Sequence, residues 1–339
     1  MALQSGTVSL TYTNEDGEDT TIKAAIVGGK FTITGFVPEP ELARLSITEG
    51  WSYNTSFFLE NTAIGIELVK DVPEKTRITG SASNIVYENL KPGLNDFFAR
   101  ARQNEAAHQQ SASLPDHHAM NQADSVWFAQ QGQWIQSIRN TISSNPENYA
   151  ALYFIQWLLF RPNNYDSIMS VFMQLGPGVR QGLAAKKFLV EFDHKYKISP
   201  GRPAPEINGK DTSGLGVFLA SFKGKIILLD FWSSYCGPCR LENRWILPVY
   251  QKYHSAGFEI ISFSLDNERS FWLQAIQTDG MLWPQASDLR GGASATGGIY
   301  EITELPRNVL IDRTGKIYVK DVHREALIDA IEYLLKKGN

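Results

Sequence analysis

Cys236 and Cys239 are the only cysteines in 339 residues, and they follow directly on an apolar run, Ile226 to Trp232, in which Asp230 is the one polar residue. Such a run reads as a central strand that needs cover on both faces, so the surrounding chain has to supply flanking helices. Between the cysteines stand Gly237 and Pro238, and proline suits the first turn of a helix, where its missing N–H costs nothing. The expected unit is therefore strand, tight turn and helix, with the cysteine pair at the helix start.

That placement carries chemistry. Only a thiolate attacks a disulfide, and a helix N-terminus offers unpaired N–H groups and the positive end of a dipole to stabilise one. Cys236 is the expected nucleophile. Cys239, one turn on, is placed to attack a mixed disulfide on Cys236 and release the partner. Gly237 leaves the approach to sulfur open. Two cysteines placed at random in this chain fall three apart about once in 170 pairings, and a disulfide scaffold or a four-ligand zinc site needs more of them.

Two carboxylates flank the pair. Asp230 lies within the apolar run, where burial raises a carboxyl pKa and fits it to exchange a proton with the deeper thiol. Glu242 is three residues beyond Cys239, within one helical turn of it. Their bland readings are a carboxylate that meets a lysine or backbone amide, and an exposed helix residue. Leu305-Pro306 precedes the strand Asn308 to Asp312, a position where a proline adopts either isomer.

A net charge of −4 and a pI near 5.9 exclude the massed basic face that nucleic-acid binding needs. With 43% hydrophobic and 20% charged residues the chain has apolar side chains enough for real cores. Its longest apolar stretch, Ala150 to Phe160, is too short to span a bilayer and reads as a buried helix. Met1 to Gly6 has neither the basic start nor the apolar run of a secretory signal, and we read it as added sequence standing where a native targeting segment was removed.

Length predicts more than one unit. Residues 1–89 alternate apolar and polar in runs such as Val8 to Tyr12, Lys30 to Thr34 and Ile64 to Leu68, which reads as an all-β domain, a small sandwich. Residues 90–198 turn to helical spacing, with a helix start at Asn145-Pro146-Glu147 and a stop at Gly176-Pro177-Gly178. Residues 199–339 open on Ser199-Pro200-Gly201-Arg202-Pro203 and then alternate strands with helices, an α/β layer architecture.

Residues from about 200 to 339 resemble thioredoxin-like proteins of the TlpA/ResA type. The resemblance rests on Ala204-Pro205-Glu206-Ile207, Phe222-Lys223-Gly224-Lys225, Asp230-Phe231-Trp232, Cys236-Gly237-Pro238-Cys239-Arg240 and Leu305-Pro306-Arg307-Asn308 through Asp312. It implies a thioredoxin-like fold and thiol-disulfide exchange. It also implies that Pro306 is a cis-proline beside the sulfurs, that Asp230 is the buried acid and Glu242 the helix glutamate. Trp232, Tyr235, Gly237, Pro238 and Leu305 are then the expected substrate contacts, with no cofactor and no metal. The β unit, through Gly29 to Gly35 and Phe58 to Asn61, is similar to the domain of unknown function that precedes such domains in Gram-negative lipoproteins. That implies a periplasmic, membrane-anchored protein. Tyr235 and Arg244 depart from the thioredoxin pattern, which has tryptophan and a helix-kinking proline there.

The expected partners are a disulfide-containing client protein and an upstream thiol donor. The sequence leaves direction open, with Gly-Pro between the cysteines favouring a reductase. Two rival readings remain. A peroxide reductase would use one thiol, with Ser233 three before Cys236 but Leu229 where its motif has proline. A binding module would use the first two hundred residues for recognition, cover or homodimerisation. His108, Asp116, His117 and His118 read as a solvated loop, Trp127, Trp134 and Trp157 as core, and Gly291 to Gly298 as flexible loop.

Overall fold

The computed structural model describes residues 4–14, 17–47, 53–69, 75–111, 118–159 and 165–337. It divides into two compact units, Met1–Val190 and Glu191–Asn339.

The first unit opens with β1 (Ser5–Thr13), β2 (Asp19–Val27), β3 (Glu41–Ile47) and β4 (Tyr53–Leu59), an antiparallel sheet in the order β2-β1-β3-β4. A two-stranded ribbon follows, β5 (Gly65–Glu67) with β6 (Arg77–Thr79). Alternation does what it should in β1 and β3: Val8, Leu10, Ala43, Leu45 and Ile47 are buried on one face. Ile66 and Ile78 of the ribbon cover that face together with Phe31 and Ile33.

Lys30 to Thr34 is not the strand that its alternation predicts. Only Lys30 pairs, in an isolated bridge to Val27, because Gly28 and Gly29 at φ 58° and 75° fold the chain straight back. Phe31 and Ile33 still point into the core. Alternation there records which side is buried and not whether a ladder forms.

Helices begin at Ala82, with α1 (Ala82–Ser111) and α2 (His118–Ser144), then α3 (Tyr149–Trp157), α4 (Tyr165–Phe172), α5 (Pro177–Gln181) and α6 (Leu183–Lys197). Three predicted boundaries move, the first because α1 begins inside the stretch read as all-β to residue 89. The cap of α3 is Asn148, whose side chain accepts from the Ala150 amide at 3.0 Å, while Asn145 closes α2 by donating to Thr141 and Ile142. Pro177 opens α5 where a stop was expected. Ala150 to Leu159 is buried as predicted save for the half-buried Tyr153, Gln156 and Trp157, Phe160 lies outside the described residues, and Trp134 packs edge-on against Phe154. Trp134 reaches α1 at Gly93, where a Cβ would fall 2.2 Å from its ring. His118 opens α2, while Asp116 and His117 lie outside the described residues, as do the side chains of His108, His118 and Trp127.

Asn84 ties α1 to the sheet. β4 is an edge strand, and the Asn84 amide meets both backbone groups of Phe58, accepting its N–H at 2.8 Å and donating to its carbonyl at 2.7 Å.

The second unit holds β7 (Gly209–Lys210), β8 (Gly216–Val217), β9 (Ile226–Trp232), α7 (Gly237–Tyr253), β10 (Phe258–Ser264), α8 (Arg269–Asp279), β11 (Gln285–Ser287), α9 (Ala295–Ile299), β12 (Arg307–Ile311), β13 (Ile317–Lys320) and α10 (Arg324–Lys337). Its seven-stranded sheet runs β13-β12-β9-β10-β11-β7-β8, with β9 parallel to β10 and antiparallel to β12. The segment read as a flexible loop at Gly291 to Gly298 forms a turn and α9, capped by Ser294. Period two divides β9 between two cores. Ile227, Leu229 and Phe231 join Ile261, Phe263 and Tyr300, while Ile226, Leu228 and Trp232 meet residues of α7, α8 and α10. Asp230 therefore belongs to the α7 and α10 face.

Asn84→Ala leaves two buried polar groups of Phe58 without partners, each costing about 1–3 kcal/mol. We expect a loss of roughly 2–4 kcal/mol, read as a lower urea midpoint and faster hydrogen exchange at the Phe58 amide.

Candidate functional site

Cys236 is the N-cap of α7, and its Sγ accepts the Cys239 backbone N–H at 3.2 Å. Cys236 and Cys239 form a disulfide, their Cα atoms 5.3 Å apart. Cys239 is 1% exposed, whereas Cys236 is only partly buried and is followed by the exposed Gly237 and Pro238. One sulfur is thus open to a partner and the other lies behind it.

Two clamps fix the turn that leads from β9 into α7. Asp266 accepts the Ser234 amide at 3.0 Å and its hydroxyl at 2.5 Å. Buried Asp279, at the end of α8, takes the Arg240 guanidinium, with Nη2 at 2.9 Å, and the Asn243 amide at 3.2 Å. Arg240 Nη1 in turn donates to the Ser234 carbonyl at 3.1 Å. Arg244, standing where a kinking proline was noted as missing, lies 3.7 Å from Asp279, and the proline inside α7 is Pro248.

A polar row crosses the otherwise apolar sheet face. Register sets Ser262 of β10 and Asn308 of β12 on either side of Asp230. Ser262 donates to Asp230 Oδ2 at 2.9 Å and accepts from Trp283 Nε1 at 2.8 Å. On the other flank the Asn308 amide clips Val322, donating to its carbonyl at 2.9 Å and accepting its N–H at 3.0 Å. This brings His323, just before α10, to Glu242 on α7, with Nδ1 and Oε1 2.6 Å apart. Nδ1 is the donor, since its partner is a carboxylate.

The sequence-predicted acids therefore share one cluster, joined by a histidine the sequence did not reveal. Burial, reinforced by the Glu242 charge, pushes Asp230 up to about 7 against the opposing pull of Ser262 and His323. Burial lowers His323, but the hydrogen bond and charge of Glu242, with Asp321 and Asp230, outweigh it and leave the imidazole raised. No signal near Glu242 announces His323, 81 residues away. The available hint is polar residues where a buried strand calls for apolar ones, at Ser262 and Asn308.

Of the expected substrate contacts, Tyr235 is 71% exposed, Gly237 and Pro238 are exposed and Leu305 is half-buried. Trp232 has no exposed surface, because strand alternation turns it into the core with Leu228, so it cannot touch a bound partner. The Leu305-Pro306 peptide is cis. Pro306 stands one residue before Arg307, which pairs with Phe231, so it enters the sheet level with Trp232, at the end where β9 hands over to the cysteines. Among the described residues no group of three or more His, Cys, Asp and Glu is arranged to hold a metal ion.

Comparison with known proteins agrees with this geometry. A model of the AhpC/TSA family matches residues 200–320, and one of a domain of unknown function, DUF4369, matches residues 2–87. Thiol-disulfide oxidoreductase ResA of Bacillus cereus is 31% identical over 146 residues, 43% of this chain and 82% of that protein. The chain belongs to the ResA thiol-disulfide oxidoreductase family. ResA of Bacillus subtilis is 28% identical over 149 residues, again 43% of this chain and 82% of that protein. A solved thiol-disulfide oxidoreductase from Bacteroides fragilis is 32% identical, covering 39% of this chain and 99% of its own, with a TM-score of 0.38. This ResA relative is thus a thiol-disulfide oxidoreductase with a thioredoxin-like domain, preceded by a β-rich unit of the DUF4369 kind.

The raised Asp230 has a consequence for stability. A carboxyl whose pKa rises from 3.8 to about 7 on folding stabilises the oxidised protein fully below pH 4, and that contribution is lost as pH climbs through 7. His323, also raised, acts in the same sense above its ordinary 6.5. We expect Asp230→Asn to remove most of the loss between pH 4 and 8, worth at most about 4 kcal/mol, in urea midpoints taken across that range.

Proposed function

We propose that this chain reduces protein disulfides in the cell envelope by dithiol exchange. The observation that carries the reading is the contrast between the sulfurs, Cys236 accessible at the helix cap and Cys239 buried behind it. The Cys236 thiolate attacks a client disulfide, forming a mixed disulfide and releasing one client sulfur as a thiolate that takes a proton. Asp230 accepts the proton of Cys239, whose thiolate then attacks Cys236. The second client sulfur leaves as a thiolate that takes a proton from solvent, and two electrons have passed from the cysteine pair to the client. A thiol donor returns them, and Asp230 gives its proton back.

Charge favours the reducing direction. The cluster sets two carboxyl groups, Asp230 and Glu242, against one imidazole, on the sheet face that Cys239 packs against. Negative charge there disfavours a thiolate and makes the dithiol a readier electron donor. The exposed Tyr235 and the cis-prolyl edge at Leu305-Pro306 offer the client its contacts. Client disulfides persist outside the cytoplasm, which supports an extracytoplasmic setting.

Equilibration with glutathione tests direction. We expect a potential in the range of roughly −220 to −270 mV, and a value near −120 mV overturns the reductase reading. Cys239→Ser should accumulate a mixed disulfide with client, and Cys236→Ser none. Asp230→Asn should leave the first attack within a factor of two or so and slow client release by about 10- to 100-fold, separated by rapid-quench trapping.

A further inference from the structure

We propose that His323 is a positioning residue for the exchange reaction: held against Glu242 by the turn before α10, it answers that carboxyl and leaves Asp230 to carry the mobile proton. This deepens the reading above, since it concerns the proton path of the same site.

The geometry is built around this contact. Asp321 and Arg324, the residues two before and one after His323, hold φ values of 55° and 53°. Non-glycine residues adopt that left-handed region at a cost, and it persists where surrounding contacts impose it. Here the Asn308 amide grips both backbone groups of Val322, and the Asn308 carbonyl accepts the Asp321 amide at 2.8 Å. The strained turn and its clip deliver one side chain into the cluster, the imidazole of His323.

Without that cation the cluster would bring two carboxylates together on one sheet face. Glu242 raises Asp230, and like charges on one face compete for a proton. Only one of the two then serves as a base, and nothing fixes which. A cation at 2.6 Å from Glu242 resolves the ambiguity, leaving Asp230 as the carboxyl that titrates.

The surrounding charges do not substitute for His323. Facing the imidazole are Glu242 from α7, Asp230 from β9 and Asp321 from its own turn, all acidic, with neutral Asn308 from β12 at 3.4 Å. Asp321 is held by Arg307, Nε to Oδ1 at 2.9 Å, and Arg324 lies over the Trp245 ring at 5.2 Å. Facing Asp230 are Glu242, His323 and the neutral Ser262. Among the described residues, His323 is the one cation among the groups that act on Asp230.

The test is a carboxyl 13C NMR titration of Asp230 in the disulfide form, where neither cysteine titrates and no turnover is needed. We expect His323→Gln to raise the Asp230 midpoint by about one unit, and His323→Lys, which restores a fixed positive charge, to bring it back toward wild type. In the reduced protein the same rise should slow client release at pH 7 by roughly fivefold in His323→Gln, with the rate recovered at higher pH. An Asp230 midpoint that does not move in His323→Gln, or that moves equally in His323→Lys, overturns the proposal. Should His323→Gln not fold, Glu242→Gln replaces it: His323 and Asp230 midpoints must then both fall, and unchanged values overturn the pairing. A protein that titrates as expected but exchanges no disulfides fails the functional reading alone.

Discussion

A carboxyl in the middle of an apolar strand must either stay neutral or be met by donors. Asp230 is that carboxyl, and the sheet face around it is arranged to satisfy it. Ser262 and Asn308 stand on either side by register, Trp283 is recruited behind Ser262, and the turn before α10 is drawn down through Val322. The cluster of Asp230, Glu242 and His323 thus follows from a single polar position in β9. Hydrophobic packing places the helices, but this row decides which of their side chains face the cysteine end of the strand. A half-satisfied version of it would cost more than an apolar replacement, which is why each buried group in it has a partner.

Much of this was legible in the sequence, and for identifiable reasons. The apolar run, the cysteine spacing and Pro238 are local signals, so the strand, the turn and the start of α7 follow from short stretches of chain. Asp230 and Glu242 were visible as carboxylates close in sequence to the cysteines. Trp232 was misjudged because its neighbours in sequence are site residues, whereas strand alternation sends it to the core. His323, Asp266 and Asp279 were not visible at all, and Asn308 showed only as a polar residue in a buried strand. Each reaches the site from another strand, helix or turn, and only sheet register and helix packing reveal the contact.

In the first unit the same contrast holds. Apolar alternation in β1 and the apolar stretch of α3 predicted burial well. Lys30 to Thr34 shows that burial pattern and hydrogen-bond pairing are separate properties, joined only when the turn before a segment allows a ladder. Asn84 lies where the β region passes into helix, and its grip on Phe58 ties α1 to the sheet within the first unit.

The cysteines are three residues apart, while the partners of Asp230 lie up to 93 residues further along the chain, at His323. Contacts of that separation form late, because they wait on loop closure across the whole sheet. During synthesis the thiols therefore emerge and can meet oxidants well before residues 308–323 have joined them. A nascent chain carries the reactive pair and Asp230 before Asn308 and His323 can reach them, so the sulfurs acquire their controlled chemistry only once the last quarter of the domain has closed over them.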